Sequence, residues 1–172
     1  FQKARDRLNS DFIVLPRIRA YQLNPDTPAE GVDRRAYYDR KFPDKEKRAE
    51  MIHRLKAAAI GAGFKFDPER PTHLPNTLKA QQVVRLAHYD GAQERLAMEL
   101  YRAYWDDEKD IGDIETLVNI AGAVGLDEEN ARDVLTSKTN ASDVKQEAEA
   151  FRMTGVTGVP SMVAEIRFRF SP

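Results

Sequence analysis

The stretch Met153-Thr-Gly-Val-Thr-Gly-Val-Pro-Ser161 decides the fold, because a helical pattern ends there and a β-rich tail begins across a single proline. Gly155 and Gly158 supply backbone freedom at a helix end. Val159-Pro160 sits immediately before the apolar run Ser161-Met-Val-Ala-Glu-Ile166. Proline cannot donate to a sheet ladder, so its place is the first residue of a strand. An X-Pro bond entering a strand through a tight turn is one of the few settings for cis geometry, although trans is the commoner form. Taken alone, the stretch reads as a helix-to-strand connector.

Working outward, the residues before it, Asn140 to Met153, predict a last helix with Val144, Ala148 and Phe151 on one face. Those after it predict a strand over Ser161 to Phe170. At the other end, Phe1 to Leu8 reads as the last turns of a helix closed by Asn9-Ser10. Asp11 to Tyr21 is the clearest strand, rich in β-branched and aromatic residues, with Pro16 placing it at an edge or a bulge. Asn24 to Gly31, with Pro25, Pro28 and Gly31, is a loop.

From about Val32 to Glu149 the signals are helical. Asp33 precedes a helix over Arg34 to Lys41, and Pro43-Asp-Lys-Glu opens a longer one. In the latter Met51, Ile52, Leu55, Ala58 and Ala59 make one apolar face, and Gly61 and Gly63 end it. Phe64-Lys-Phe66 is a short extended piece or loop. Asn76 or Thr77 can cap a helix through Leu78, Val83, Leu86 and Ala87, which Asp90-Gly91 closes or breaks. Leu96, Leu100, Tyr101 and Tyr104 form the stripe of the next helix, with Trp105 at its end. Asp113 caps Ile114 to Ala121, Gly125 stops it, and Asp127 opens a short helix through Val134 and Leu135. The order of elements describes an α/β domain interrupted by a helical insertion.

The chain has 172 residues, enough for a substantial core in one domain or one domain with a large insertion. Lys plus Arg total 27 against 28 Asp plus Glu, a net charge of −1 that gives no electrostatic reason to expect nucleic acid or an anionic membrane as partner. No apolar run approaches the roughly 18 residues that span a bilayer, and the start Phe-Gln-Lys-Ala-Arg has no secretory apolar region. The default expectation is a soluble, cytoplasmic protein. Zero cysteines exclude disulfides, thiolate metal sites and thiol catalysis by these residues, though not by residues ahead of Phe1.

Other chemistry finds little support. His53, His73 and His88 have no short metal spacing and read as ordinary surface or packing residues, so no metal is expected. Asp106-Asp-Glu108 reads as a solvated helix end. No glycine-rich nucleotide motif and no nucleophile elbow occurs. Tyr101, Tyr104 and Trp105 read as packing between helices.

Four motifs in order carry the reading further: Gln22-Leu-Asn-Pro-Asp-Thr-Pro-Ala-Glu-Gly-Val-Asp33, Leu74-Pro-Asn-Thr77 opening a helix, Asp110-Ile-Gly-Asp113, and Gly155-Val-Thr-Gly-Val-Pro160. Each is weak alone. Together they resemble the FrnE-type branch of the DsbA-like thioredoxin superfamily, over essentially the whole chain. The resemblance implies a thioredoxin-like domain over 1–31 and 140–172, interrupted by a helical insertion over 32–139. It implies a cis Pro160, with the backbone of Val159 facing a bound thiol or peptide. Thr157, Gly158, Val159 and Pro160, with Asn24, Pro25 and Asn76, form the implied substrate-binding set.

The family's catalytic centre is a C-x-x-C motif at the start of the first long helix, where the helix dipole lowers the thiolate pKa. Phe1 to Leu8 resembles the tail of that helix, which places the motif ahead of Phe1 and leaves no catalytic residue in this chain. The tail Val163 to Phe170 departs from the usual strand, glycine turn and strand, and the family's closing helix is absent. The implied activity is thiol-disulfide exchange or disulfide isomerisation without a bound cofactor, acting on a thiol- or disulfide-containing protein or a small thiol. One rival is a glutathione-dependent isomerase or transferase of the related hydroxychromene-carboxylate isomerase and kappa-class branch, where serine replaces the thiol. Another is a redox-inactive binding module of the same fold.

Overall fold

The computed structural model describes residues 15–64 and 66–164. In chain order it holds β1 (Val32–Asp33), α1 (Arg34–Lys41), α2 (Lys45–Gly61), β2 (His73–Leu74), α3 (Leu78–Leu86), α4 (Gln93–Trp105), α5 (Ile114–Ala123), α6 (Glu128–Thr136) and α7 (Lys138–Met153).

Short polar side chains start most of these helices by accepting the otherwise unpaired N–H groups of the first turn; α4 follows Ala92 and has no side-chain cap. Asp44 accepts from Lys47 N at 3.1 Å, Asp113 from Thr116 N at 2.8 Å and Asp127 from Asn130 N at 2.7 Å. The last helix begins two residues earlier than its apolar pattern suggests, because Ser137 caps it through Asn140 N at 3.2 Å. At α3 the Thr77 side chain makes no capping bond. Asn76 does that work instead, its Oδ1 accepting from Leu78 N at 2.9 Å.

Leu96, Leu117, Val83, Ala87, Ala121 and Ala131 close a fully buried core between α3, α4, α5 and α6. Val144 and Ala148, also buried, seat α7 against α3. On α4 the buried stripe is Leu96, Leu100 and Tyr104, at i, i+4 and i+8. Tyr101 lies a residue off that line and is 63% exposed, contrary to the sequence expectation. The apolar face of α2 also differs from expectation: no residue of that helix is buried, and Leu55 and Ile60 are exposed.

The expected strand over Asp11 to Tyr21 does not appear in its described part. Residues 15–21 join no ladder, and residues 11–14 lie outside the described residues. Pro16 offers no N–H, and helix side chains take the place of a neighbouring strand. Gln93 Oε1 accepts from Ile18 N at 3.0 Å and its Nε2 donates to Ile18 O at 3.1 Å, imitating both bonds of a β-bridge. Ala20 N donates to Glu147 at 3.1 Å, and Gln81 donates to Tyr21 O at 3.0 Å. Every one of those partners sits on α3, α4 or α7, so the extended segment is bound to the helices on either side of it.

The one ladder among the described residues is short and was not expected from sequence: β1 and β2 pair antiparallel, Val32 opposite Leu74 and Asp33 opposite His73. Ser161 to Ala164 is not in a strand; residues 165–170 of that expected strand, like the helix end at 1–8, lie outside the described residues.

Candidate substrate-binding site

Helix α7 ends at Met153 and turns through Gly155, whose φ of +89° is the left-handed conformation that glycine adopts without a Cβ penalty. Gly155 N donates to Arg152 O at 3.0 Å and Val156 N to Phe151 O at 3.3 Å, a helix-closing pair. The chain then runs through Thr157, Gly158 and Val159 to Pro160, and the Val159-Pro160 peptide bond is cis. Ser161 Oγ closes the loop on Gly158 O at 2.7 Å. Thr157 and Pro160 are exposed, Gly158 is half-buried and Val159 is 51% exposed.

The second segment, Leu23-Asn-Pro-Asp-Thr-Pro28, lines a cleft of about 420 Å³ together with Val32, Tyr37 and Arg40. Asn24 and Pro25 thus share one concave surface. Asn24 Oδ1 is engaged inside the chain, accepting from the Tyr37 hydroxyl at 2.5 Å and from Lys41 Nζ at 3.0 Å. The turn itself is closed by Thr27 N, which donates to Asn24 O at 3.2 Å.

Asn76 does not line that cleft. Its Oδ1 accepts from Gln22 Nε2 at 3.2 Å as well as from Leu78 N, and its Nδ2 donates to Thr27 O at 2.6 Å. With its amide spread over three partners, Asn76 fixes the ends of the Asn24-Pro25 loop to the start of α3. Thr157 to Pro160 do not line the cleft either. The connection between the two segments runs through Tyr21, whose hydroxyl donates to Val156 O at 3.2 Å, and through Arg152, which donates to Gln22 O.

Tyr21 and Arg152 were not singled out by the sequence, and Gln22 figured only as the first residue of a motif, with no role assigned to it. Tyr37 and Lys41 could have been found, since i, i+4 spacing on a helix puts both on one face.

The motif Asp110-Ile-Gly-Asp113 is built for structure. Asp110 Oδ1 accepts from Gly112 N at 2.7 Å, Lys79 Nζ on α3 donates to Gly112 O at 3.1 Å, and Asp113 caps α5. The backbone N–H of Thr116, followed by its side chain, holds the Asp113 carboxyl below its ordinary pKa.

Behind it, Tyr104 donates to His73 O at 2.9 Å, and burial raises its phenol pKa. His73 Nε2 stands 3.5 Å from Asp110 Oδ2. Trp105 meets the Phe66 and Tyr104 rings edge-on, at 4.8 Å in each case. A second cleft, of about 250 Å³, lies between α4 and α5 and contains none of the implied binding residues. Among the described residues no group of three or more His, Cys, Asp or Glu side chains could hold a metal ion, and no helix is long and apolar enough to cross a membrane.

The glycine turn after α7, the cis Val159-Pro160 bond and the block of packed helices are features that the resemblance to a thioredoxin-fold protein with a helical insertion implies. The family comparison agrees: the chain belongs to the DSBA-like thioredoxin domain family, whose model matches residues 6–170. A solved structure described as a probable DsbA oxidoreductase from Streptomyces coelicolor is similar to it, with a TM-score of 0.71 and 27% sequence identity. The match covers 83% of this chain and 62% of that one, so this chain spans less than two thirds of its length. No curated protein matches the sequence. The fold is accordingly a DsbA-type thioredoxin fold, the fold of thiol oxidoreductases, in a sequence of 172 residues that contains no cysteine.

Proposed function

We propose that this chain is the substrate-binding part of a thiol-disulfide oxidoreductase or disulfide isomerase of DsbA/FrnE type, whose catalytic C-x-x-C precedes Phe1. The observation that carries the reading is the family match over residues 6–170, which takes in both the Asn24-Pro25 loop and the proline loop. The thioredoxin-like portions are 1–31 and 140–172, and 32–139 is the insertion.

In the reaction, the first thiolate of the C-x-x-C attacks one sulfur of a substrate disulfide. The substrate S–S bond breaks, its second sulfur leaves as a thiolate, and a mixed disulfide forms. The second cysteine, deprotonated, attacks the enzyme's own sulfur in that mixed disulfide and releases the substrate's first sulfur. The substrate is reduced by two electrons and the C-x-x-C is oxidised by two. Isomerisation follows when the released substrate thiolate attacks another disulfide instead.

The residues in hand bind. The Val159 backbone pairs with the extended chain on one side of the substrate cysteine. Pro160, having no N–H, offers no competing donor near the sulfurs. Thr157, Gly158, Asn24 and Pro25 complete the surface, and Asn76 holds the Asn24-Pro25 loop in place. The substrate is a disulfide-containing protein or a small thiol, and no bound cofactor is required.

Insulin reduction by the intact gene product, with a dithiol as electron donor, tests the reading. Turnover above the uncatalysed rate is expected. No turnover, with glutathione conjugation intact, would assign the protein to the glutathione-dependent branch.

A further inference from the structure

We infer that Tyr21 and Arg152 are positioning residues that set the proline loop in register with the Asn24-Pro25 loop. The inference rests on the proposed function, because it gives those two residues a task in binding the disulfide substrate.

The hydrogen bonds within the proline loop are local. Gly155 N and Val156 N return to the end of α7, and Ser161 Oγ returns to Gly158 O. Among the described residues, one hydrogen bond reaches the loop from a distant part of the chain: Tyr21 OH to Val156 O at 3.2 Å, across 135 residues of sequence. The Tyr21 ring is itself held. The Arg152 guanidinium lies 5.0 Å from its centroid, within cation–π range. From there Arg152 donates to Gln22 O, and its Nη1 pairs with Glu149 at 3.2 Å, which orients the planar fork from within α7.

The arrangement is reciprocal. Arg152 reaches from the last turn of α7 to the residue before Leu23, and Tyr21 reaches from that segment to the residue after Gly155. Gln22, 5% exposed, passes the connection on: its side chain donates to Asn76 Oδ1, and Asn76 Nδ2 donates to Thr27 O. A continuous set of polar contacts therefore runs from Val156 through Tyr21, Arg152, Gln22 and Asn76 to Thr27. It ends on both segments implicated in binding.

None of these groups touches a reacting sulfur, so their contribution is placement of the substrate backbone. A binding surface set less firmly in place holds the substrate and the transition state less tightly by the same amount, which raises KM and leaves kcat nearly unchanged.

The test uses the intact gene product, with steady-state kinetics on a disulfide substrate and the reduction potential of its dithiol. Tyr21→Phe keeps the ring under Arg152 and deletes only the hydroxyl. Arg152→Met removes the fork, and Arg152→Lys keeps a cation over the ring. Tyr21→Phe is expected to raise KM about five- to tenfold, as for one lost hydrogen bond. Its kcat should stay within twofold and its potential unchanged, the pattern of lost uniform binding. Arg152→Met should raise KM at least as much, and Arg152→Lys should recover part of the loss.

Unchanged KM in both Tyr21→Phe and Arg152→Met would overturn the inference, as would a change confined to kcat or the potential. An intact protein without disulfide exchange would instead overturn the proposed function, and this inference with it.

Discussion

Replacing Gln93 by alanine tests the account of how the extended segment is held. Gln93 is 6% exposed and makes three hydrogen bonds: it accepts from Ile18 N at 3.0 Å and donates to Ile18 O at 3.1 Å and Val84 O at 2.8 Å. Val84 O lies in the last turn of α3, where carbonyls lack intrahelical partners. Truncation therefore removes three bonds, two of them to the backbone of Ile18, an exposed residue, and one to half-buried Val84. At about 1 kcal/mol net for each bond, the loss is about 3 kcal/mol. Equilibrium unfolding in urea should show the midpoint falling with the m-value unchanged, since the surface exposed on unfolding is nearly the same. Hydrogen exchange supplies the local readout: the Ile18 amide should lose its protection while amides within α5 keep theirs relative to global stability. A loss under about 0.5 kcal/mol, or an Ile18 amide protected as in the parent, would refute the claim that Gln93 stands in for a neighbouring strand.

Two further changes probe other parts of the frame. Gly31 has φ +76°, and a Cβ there would overlap the His73 imidazole and come within 2.7 Å of Leu74 O. Gly31→Ala should therefore lower stability by about 2–4 kcal/mol through left-handed backbone strain and overpacking, measured by thermal unfolding. Asp113→Ala should cost about 1 kcal/mol as a lost helix cap, read by the same method. Because hydrogen bonding lowers the folded-state pKa of Asp113, its contribution is present above the unfolded value near 3.8 and is lost as pH falls through the lower folded value. Asp113→Asn, which keeps an acceptor without the charge, should remove that part of the acid dependence. If stability falls with acid as steeply in Asp113→Asn as in the parent, Asp113 is not among the groups responsible.

The helical block was legible because its signals are local. Asp33, Asp113 and Asp127 cap the helices they were expected to cap. Leu96, Leu100 and Tyr104 bury the face that their spacing draws. What failed was whatever depends on the covering partner. The α2 pattern at Met51, Ile52 and Leu55 is amphipathic, yet periodicity states only that a face is apolar and not what packs on it. Tyr101 joined its stripe by composition, but its place next to Leu100 turns it about 100° away.

The segment Leu15 to Tyr21 has strand composition, and no pattern within it distinguishes a neighbouring strand from the amides of Gln81 and Gln93. The β1–β2 pair is two residues long on each side, too short for alternation to register. At the candidate site the motif residues were visible as turn chemistry and as resemblance. The Tyr21–Val156 and Gln22–Asn76 contacts were not, because they join residues 135 and 54 positions apart.

The proposed function requires a dithiol ahead of this cysteine-free chain. The most direct measurement is mass spectrometry of the intact gene product after alkylation with iodoacetamide, before and after reduction and with peptide mapping. A pair of thiols in one C-x-x-C ahead of Phe1 is expected, alkylated together after reduction and together protected as an intramolecular disulfide after oxidation. A lone serine at that position, or no reducible pair anywhere in the product, would contradict it.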